Sequence, residues 1–392
     1  MIVSEIAVQI RGRIPASAIR AEDYVSTDNM RPNFGGIATS SSMPQSGNVT
    51  AYQVGDILLS NIRPYFRKTW LATHSGGCNA DVLCIRANPK KCLPQYLYYL
   101  FTTDNFVTDY LKSCKGAKMP RGDVNRLLNY EFNLPDLPTQ LRIAGVLGSI
   151  DEKIELNRKK IAELEALAKV IYDYWFVQFD FPDANGKPYK SSGGKMVWNE
   201  LLKRAVPVGW DVKRLPEIAD YLFGYPFDSS LFNDKGNGFP IVRIRNVKDG
   251  VTQDSTTESA NKEYIISDGD FLIGMDGYFD MNHWIGGDAY LVQRTCRIKT
   301  KQSLYAGWLS SALQAPIKHL EKSLSGATLA HLGKAHLDEI MLPVPPNDMR
   351  QSLSILNQAI ERKVTLGSEN IALTQQRDSL LPLLMNGQVV VG

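Results

Sequence analysis

The sequence has 392 residues, a formal net charge of +3, and hydrophobic and charged fractions of 44% and 22%. This composition excludes a largely disordered chain and leaves room for two or three domains. No apolar run approaches the roughly 18 residues of a membrane span, and the first residues lack the apolar core of a signal peptide, so we expect a cytoplasmic protein. The five cysteines are odd in number and show no CxxC spacing, which favours reduced structural thiols over a zinc site.

Charge is unevenly distributed along the chain. Residues 1–135 contain 15 basic and 10 acidic side chains, a net charge of +5, whereas residues 205–345 contain 14 and 17, a net charge of −3. A basic footprint is typical of nucleic-acid binders, and here only the first half shows one, weakly. Charge alone therefore does not identify a nucleic-acid-binding protein.

The first predicted domain, residues 1–137, combines short strands with helices. Runs rich in β-forming residues, such as "AYQVGDILLS" and "DVLCIRA", are separated by Gly, Asn and Asp, and "LPQYLYYLFTTDNFVTDYL" has helical spacing. Because strands and helices do not alternate regularly, we expect a mixed or largely antiparallel sheet flanked by helices.

Two loops of this domain are candidates for contact with a nucleic acid. "SNIRPYFRKTW" (60–70) follows a predicted strand and mixes basic with aromatic side chains, and "CKGAKMPRGD" (114–123) is a short basic loop that contains glycine. Such side chains suit contacts with phosphates and base edges. The alternative is that the aromatic side chains lie in the core and the charged ones only solvate the loop. The candidate DNA-binding residues are Arg63, Arg67, Lys68, Lys115, Lys118 and Arg121.

Residues 138–176 predict one long helix. Apolar residues recur at steps of three and four, as on one face of a helix, with one place where two steps of four follow each other. This spacing predicts a coiled-coil seam with a stutter, on a rod of about 36 residues and about 55 Å. The seam positions are Ile143, Val146, Ile150, Ile154, Ile161 and Leu164. Gly, Pro and Ser residues then mark a connector at 177–206, long enough to let a second domain reach the opposite end of the rod.

The second predicted domain, residues 207–345, has the same mixed character, with runs such as "GFPIVRIRNV" and "AYLVQRTCRIK". Its loops "GMDGYFDMNHW" (274–284) and "LSGATLAHLGK" (324–334) correspond to the two basic loops of the first domain. The candidate DNA-binding residues are Arg243, Arg245, Tyr278, His283, Thr328, His331 and Lys334. Two histidines five positions apart, at 331 and 336, do not align on a helix face, so we expect no metal site there.

The two halves of the chain form an internal repeat. "SEIAVQIRG" (4–12) matches "PEIADYLFG" (216–224), and "GDILLSNIRPYF" (55–66) matches "GDFLIGMDGYFD" (269–280) at an offset of 214. From Gly116 onward the offset is 210. A second long helix is therefore expected within residues 346–392, with seam positions at Leu353, Leu356, Ile360, Val364 and Ile371.

Neither long helix can bury its seam alone. Two matched seams exist in one chain, and loop-closure entropy favours their pairing within the chain over a dimer of two chains, which stays the alternative. We therefore expect an α+β protein: two globular mixed α/β domains separated by two long antiparallel coiled-coil helices, in an internal pseudo-twofold repeat.

The sequence lacks the common catalytic motifs. It contains no GxxxxGK[ST], GxSxG or HExxH motif, and no GxGxxG that opens a helix after a strand. A self-sufficient adenine methyltransferase would need a [DN]PP[FYW] motif, and "PVPPND" is not one. We therefore expect a non-catalytic protein, either a DNA reader with two unlike domains or a coiled-coil scaffold with protein-binding domains.

Three stretches carry a resemblance to a known family. "LPTQLRIAGVLGSIDEKIELNRKKIAELEALAKVIYDYWFVQFDFP" (137–182) resembles the central conserved region of the specificity subunits of type I restriction-modification systems. "VPVGWDVKRLPEIADYLFGYPFDS" (206–229) resembles the start of a second target-recognition domain, and "LPVPPNDMRQSLSILNQAIERKV" (342–364) resembles the second conserved helix. The likeness covers nearly the whole chain and implies that each globular domain binds one half of a split double-stranded DNA target.

The resemblance also implies partners. The helices would set the gap between the half-sites and dock two modification subunits that bind S-adenosylmethionine and methylate adenine, and restriction subunits with translocase and nuclease activity would join them. It implies no catalytic residue, no metal and no cofactor bound by this chain itself.

The sequence departs from the family pattern in two places. The first domain starts at "SEIA" without the lead-in that the second domain shows at Pro207, Gly209 and Trp210, and Thr139 stands where the family often has Glu. For the first departure we expect either a trimmed domain or a misassigned first codon.

Overall fold

The structure is a computed structural model, and it describes residues 1–40, 42–116, 118–324 and 330–389. The chain divides into two compact units. Unit 1 contains Met1–Lys153 with Leu373–Gly392, and unit 2 contains Ile154–Ala372. Each unit therefore includes a globular part and a portion of each long helix.

Unit 1 is built from short strands and helices, followed by the first long helix, which continues into unit 2. The strands are β1 (Ala7–Gln9), β2 (Arg13–Pro15), β3 (Tyr24–Val25), β4 (Asn48–Tyr52), β5 (Ile57–Ser60), β6 (Thr69–Leu71), β7 (Gly76–Cys78) and β8 (Val82–Ala87). The helices are α1 (Pro94–Thr102), α2 (Asp104–Leu111), α3 (Val124–Leu128) and the long α4 (Leu137–Tyr172).

Unit 2 follows a similar order and leads into the second long helix. Its strands are β9 (Met196–Asn199), β10 (Arg204–Pro207), β11 (Asp211–Arg214), β12 (Ala219–Phe223), β13 (Phe232–Asn233), β14 (Phe239–Val242), β15 (Ser255–Thr256), β16 (Ile265–Ile266), β17 (Phe271–Gly274), β18 (Met281–His283), β19 (Ala289–Leu291), β20 (Thr295–Thr300) and β21 (Met341–Val344). Its helices are α5 (Leu215–Ile218), α6 (Ile244–Val247), α7 (Ala306–Ala312), α8 (Gln314–Leu324), α9 (Lys334–Asp338) and the long α10 (Arg350–Met385).

The globular part of unit 1 contains two sheets. One has the strand order β1-β8-β5-β6 and is antiparallel, and the other has the order β2-β4-β7-β3, with β3 parallel to β7. Strand β5 is buried on both faces: Ile57 and Leu59 pack in the same core as α1 and α2, and Leu58 packs in a second core with Cys78. Burial on both faces explains why this strand is a continuous apolar run.

The globular part of unit 2 repeats this topology. The strand order β12-β20-β17-β18 is again antiparallel, and β14 runs parallel to β19 in the neighbouring sheet, as β3 does to β7. Strand β17 also separates two cores, with Phe271 and Ile273 in one and Leu272 in the other. The predicted internal repeat is therefore confirmed in the fold.

The two long helices are antiparallel within each unit. In unit 1, Ile143 and Leu147 near the start of α4 share a core with Leu381 and Leu384 near the end of α10. In unit 2 the end of α4 lies near the start of α10: Ile171 packs in the core that contains Leu353 and Leu356.

The predicted seam positions are all withdrawn from solvent. The buried ones are Ile143, Ile150, Ile154, Leu353 and Leu356, and the half-buried ones are Val146, Ile161, Leu164, Ile360, Val364 and Ile371. These positions therefore lie on the sides of the two helices that are withdrawn from solvent, as expected of a seam.

Polar contacts accompany the seam. Asn157 of α4 is fully buried and donates through Nδ2 to Asn370 Oδ1 at 3.0 Å and to Glu369 Oε2 at 2.8 Å. In unit 1, Arg377 Nη1 donates to Asp151 Oδ1 at 2.9 Å. Such groups fix which residues of the two helices lie opposite each other.

Amide side chains attach the long helices to the globular parts. In unit 1, Gln140 of α4 is fully buried, accepts from the Leu93 N–H at 2.9 Å and donates to the carbonyls of Lys91 and Pro135. In unit 2, Asn357 of α10 accepts from the Gly307 N–H at 2.7 Å and donates to the carbonyls of Ser303 and Leu304. The start of α1 or α7 is thereby fixed to a long helix.

The connector at 177–206 is folded against unit 2. It includes the hairpin strands β9 and β10, and Phe179 and Phe181 are buried in the same core as Trp210. Arg204 lies over the Phe179 ring, with 4.6 Å between its guanidinium carbon and the ring centroid. Asp180 accepts from the hydroxyl of Ser191 at 2.6 Å and from its N–H, and these hydrogen bonds lower the pKa of the carboxyl.

No helix in the described part of the chain is both long enough and apolar enough to cross a membrane. The five cysteines are free, four of them are buried, and burial raises the pKa of Cys78 and Cys92 to about 12. Such thiols are chemically inert.

Candidate nucleic-acid interface

Three loops of unit 1 meet at one edge of the β1-β8-β5-β6 sheet, here called the loop edge of unit 1. They are residues 61–68 after β5, 79–81 before β8, and 115–116 with 118–122 before α3. Backbone hydrogen bonds join them. The Arg63 N–H donates to the Pro120 carbonyl at 2.8 Å, the Gly122 N–H to the Asn61 carbonyl at 3.1 Å, and the Asn61 N–H to the Asp81 carbonyl at 2.8 Å. The two basic loops predicted as DNA-binding therefore lie together.

Unit 2 contains the same backbone frame in the loop edge of unit 2, formed by residues 275–280, 292–294 and 330–333. The Gly277 N–H donates to the Ala330 carbonyl at 2.9 Å, the Leu332 N–H to the Met275 carbonyl at 2.7 Å, and the Met275 N–H to the Arg294 carbonyl at 2.9 Å. These three bonds correspond one to one with those of unit 1. The repeat therefore preserves the backbone at this edge while the side chains differ.

The basic side chains at the loop edge of unit 1 are held by carboxylates and carbonyls. Arg121 pairs with Asp81 at 2.8 Å, Arg67 pairs with Asp104 at 2.6 Å, and the Lys68 amine donates to the Thr27 carbonyl at 2.6 Å. Arg121 is exposed, and Arg67 and Lys68 are half-buried. Such partners orient the cationic groups, and the exposed parts remain accessible to a ligand.

The side chains of Arg63, Lys115 and Lys118 are exposed at the same edge. Arg63 Nη2 donates to the Lys118 carbonyl at 3.4 Å, and the backbones of Lys115 and Arg121 pair within the loop before α3. The six basic candidates of the first domain are therefore distributed over two joined loops.

The aromatic residues of the 60–70 loop divide between surface and core. Tyr65 and Phe66 are 48% and 39% exposed and lie beside each other, with ring centroids 4.7 Å apart. Trp70 is half-buried and packs edge-on against Tyr52 at 5.9 Å. Of the two interpretations of this loop, the surface one applies to Tyr65 and Phe66 and the core one to Trp70.

The loop edge of unit 2 has different chemistry. Tyr278 is 77% exposed, and the buried carboxylate of Asp276 accepts from His331 Nδ1 at 2.6 Å and pairs with Arg294. Burial would raise the pKa of Asp276, but the hydrogen bonds from His331 and Arg294 outweigh it and lower that pKa. The carboxylate therefore stays charged at neutral pH.

Of the other candidates of unit 2, Arg245 and Lys334 lie on the short helices α6 and α9, and Arg243 immediately precedes α6. Arg243 lies over the Phe232 ring at 5.4 Å, and Arg245 of α6 is exposed and pairs with Asp254. Lys334, the first residue of α9, is exposed and pairs with Asp338 at 2.8 Å. Thr328 lies outside the described residues.

His283 is the one candidate that the structure contradicts. Its side chain is buried on β18, with its ring 5.1 Å from that of Phe271. Burial, with the nearby positive charge of Lys363, lowers the pKa of His283 to about 3. A neutral ring that faces the core cannot contact DNA, so the prediction for His283 was wrong.

Sequence reasoning did not single out Asp81, Asp276 and Arg294. Each lies at the loop edge and forms an ion pair there. A signal was present, because Asp81 and Arg294 occupy the same position, in the turn directly before the corresponding strands β8 and β20, 213 positions apart. Their relation to the predicted loops is evident only from contacts in space: Asp81 pairs with Arg121, and Arg294 pairs with Asp276. Among the described residues, no group of histidine, cysteine or acidic side chains has the arrangement of a metal site.

Comparison with known proteins identifies the family. The family described as the type I restriction modification DNA specificity domain matches residues 19–166 and 207–374, which is more than half of the chain in two copies. This chain belongs to that family. It is accordingly a DNA specificity subunit of a type I restriction-modification system, a non-catalytic component that functions with DNA and with other subunits of the complex.

Individual relatives agree with this assignment. The chain is 25% identical over 319 residues to the type I restriction enzyme MjaIX specificity subunit of Methanocaldococcus jannaschii, covering 76% of this chain and 69% of that protein. It is 23% identical over 407 residues to the HindI specificity subunit of Haemophilus influenzae, covering 86% and 87%.

A solved structure shows the same fold. The S subunit of a type I restriction-modification system from M. genitalium matches with a TM-score of 0.61 over 98% of this chain and 95% of that one. The two sequences are 16% identical, so this likeness supports the fold alone.

Proposed function

We propose that this specificity subunit reads a two-part, asymmetric target in double-stranded DNA, one half with the loop edge of each unit. The observation that carries the proposal is the pair of matched backbone frames with unlike side chains. The edge of unit 1 offers several basic groups and two exposed aromatic rings, whereas the edge of unit 2 offers Tyr278 and a cluster around Asp276. Two readers built on one frame but lined by different donors and acceptors suit two different base sequences.

The paired long helices are proposed to set the number of unread base pairs between the two halves. Each helix has 36 residues, and buried apolar and polar contacts fix their register. Rigid elements of fixed length suit a spacer.

The same helices are proposed to dock two modification subunits, with restriction subunits as further partners. Exposed apolar residues of α4, including Leu141, Leu156, Leu167 and Val170, remain outside the seam and are available to a partner. In this proposal the modification subunits bind S-adenosylmethionine and methylate adenine, and this chain binds no cofactor.

A genome-wide adenine-methylation map tests the proposal. Cells that express this chain with its modification subunit are compared with cells that lack only this chain. We expect chain-dependent methylation at an asymmetric motif in two parts, separated by a fixed unread gap. Methylation that is unchanged when the chain is removed would contradict the proposal and favour a coiled-coil scaffold with protein-binding domains.

Matched variants assign each half of the motif to a unit. Arg63→Ala changes the loop edge of unit 1, and Lys90→Ala removes a positive charge that is also exposed but lies after the far end of β8. We expect Arg63→Ala to relax or weaken one half only and Lys90→Ala to change neither. A change of both halves by Arg63→Ala would count against the assignment of one half to each unit.

A further inference from the structure

We infer that Arg294, oriented by the buried carboxylate of Asp276, contacts a guanine in the half-site read by unit 2. The inference rests on the proposed function and adds to it a specificity-determining residue that sequence reasoning did not include. Arg294 lies in the turn immediately before β20, and its own carbonyl accepts from the Met275 N–H at 2.9 Å. It therefore lies inside the loop edge of unit 2.

One buried carboxylate, that of Asp276, contacts two exposed side chains, those of Arg294 and His331. The side chain of Asp276 is 7% exposed, whereas those of Arg294 and His331 are 59% and 56% exposed. One carboxylate oxygen of Asp276 pairs with Arg294 Nη1, and the other lies 2.6 Å from His331 Nδ1. Asp276 therefore orients the exposed Arg294 and His331 side chains through the nitrogen atoms that it contacts.

The backbone of Arg294 supports a role for its side chain. Its φ is +70°, in the left-handed region that glycine adopts more easily than any other residue. A glycine at this position would suit the turn better. The arginine is therefore better explained by what its side chain does at the surface than by the conformation of the turn.

The repeat shows how the edge changes its chemistry without changing its frame. The frame positions of Ile62, Asp81 and Arg121 in unit 1 correspond to those of Asp276, Arg294 and His331 in unit 2, because the same backbone bonds join them. Unit 1 thus has one acid–base pair at this point, from Asp81 to Arg121, and unit 2 has one acid between two donor groups. Exchange of an acidic and a basic side chain on a fixed backbone frame alters which nucleobase edge is complementary.

Guanine is the base that this arrangement fits. One nitrogen of the Arg294 guanidinium is engaged by Asp276, which restrains the group, while the side chain as a whole is 59% exposed and can present its other donors to a ligand. A planar guanidinium matches the O6 and N7 acceptors of guanine in the major groove. His331 engages Asp276 through Nδ1, so its contact with DNA would be made through Nε2.

The test uses the complex of this chain with its modification subunit. A DNA library replaces each base pair of the methylated motif singly, and the methylation rate of every substrate is measured. A good bidentate contact is worth about 1–3 kcal/mol, or about 5- to 150-fold in discrimination. We expect Arg294→Gly, which suits the backbone, to lose discrimination by such a factor at one G·C pair of the half-site read by unit 2 and to keep it elsewhere.

Further variants separate reading from folding. Arg294→Lys retains the charge without the planar fork and should lose discrimination at the same base pair. Asp276→Asn removes the charge of the positioning residue and should affect that base pair too, with little further loss when it is combined with Arg294→Gly. Lys299→Ala, an exposed cationic residue on β20, is the control and should leave all positions unchanged.

The outcomes are distinguishable. Absence of any two-part motif with the unaltered chain would overturn the proposed function itself. A two-part motif whose base discrimination is the same with Arg294→Gly would overturn this inference alone. Equal loss at every position of that half-site, accompanied by a lower unfolding temperature, would assign Arg294 a structural role and would also overturn it.

Discussion

Arginine residues in the left-handed backbone region mark both loop edges. Arg63, Arg67 and Arg294 have φ values of +48°, +53° and +70°. This conformation costs a residue with a Cβ atom about 1–2 kcal/mol. At the frame position of Arg63, unit 2 has Gly277 with a φ of +70°. The fold therefore accepts a glycine here, and the arginine side chain has another use.

Substitution of Arg63 separates that use from stability. We expect Arg63→Gly to change the free energy of unfolding by no more than about 1 kcal/mol, because relief of the left-handed strain offsets the greater freedom of glycine in the unfolded chain. Affinity for the half-site read by unit 1 should fall, while the other half-site is read as before. Chemical denaturation and binding to DNA with either half altered measure the two effects. A large loss of stability would show that Arg63 has a mainly structural role.

The buried His283 makes unit 2 sensitive to acid. Its pKa is about 3 in the folded protein and about 6.5 when unfolded, so the unfolded state binds more protons between these values. The associated stability is fully present above pH 6.5 and is lost as the pH falls toward 3. At pH 5 the loss should be about 2 kcal/mol, at about 1.4 kcal/mol for each pH unit below 6.5.

Thermal unfolding between pH 7.5 and pH 5 checks this prediction. The unfolding temperature should fall with pH in the unaltered chain and fall less in His283→Gln. His319→Gln, a change at an exposed histidine of α8, is the matched control and should retain the full pH dependence. An identical slope for all three proteins would contradict the role given to His283.

At the scale of elements, the long helices combine an apolar seam with a buried polar pair. Apolar side chains alone allow helices to slide by a turn, whereas a buried amide has few acceptable partners. Asn157 finds its partners in Asn370 and Glu369, at 3.0 and 2.8 Å. This contact therefore specifies one register at some cost in stability.

Replacement of one partner should be worse than replacement of both. We expect Asn157→Leu to lower the free energy of unfolding by about 1–3 kcal/mol, because the hydrogen bonds to Asn370 and Glu369 are lost in a buried site. The double variant Asn157→Leu with Asn370→Leu should recover part of that loss. If the helices set the gap, the double variant should also methylate motifs with neighbouring gap lengths. A strictly unchanged gap would show that the apolar seam alone specifies the register.

Lengthening both helices tests their role as a spacer. Insertion of one heptad in α4 and a matching heptad in α10 adds about 10 Å, the length of about three base pairs. We expect the unread gap to increase by about three base pairs while both half-sites stay the same. A heptad inserted in α4 alone is the control, and because it unpairs the seam it should abolish assembly. An altered half-site in the double insertion would argue against the spacer role.

At the scale of the whole molecule, binding to DNA should depend on salt. In the proposed function, the basic groups at the loop edge of unit 1 contact phosphates and so displace counterions. Each phosphate contact would contribute about 0.9 to the slope of log affinity against log salt concentration. Fluorescence anisotropy of the assembled complex on its target measures that slope. Arg67→Ala should lower it by about one unit if Arg67 contacts a phosphate, and Lys90→Ala should leave it unchanged.

The repeat and the helices could be predicted from the sequence, because equal offsets and apolar spacing are one-dimensional patterns. The site could be predicted only in part. Charge and aromatic content indicated two loops in each unit. Asp81 in unit 1 and Arg294 in unit 2 contact those loops through residues distant in sequence, Arg121 and Asp276, and such contacts leave no pattern in the sequence. His283 was misassigned because a string of aromatic and basic residues does not show which side chain of a short strand faces the core. The connector looked like a spacer by its Gly, Pro and Ser content, yet its phenylalanines are buried in unit 2.

The composition of unit 1 also has a consequence for biosynthesis. Its core includes Leu381 and Leu384, which the ribosome adds more than 200 residues after Ile143 and Leu147. Until then, the apolar face of the first part of α4 lacks the partner that covers it in the finished protein. Unit 1 is therefore synthesised first, but its core is complete only when the last residues of the chain have been added. A nascent chain halted near residue 372 should be a better substrate for chaperones than the full-length product.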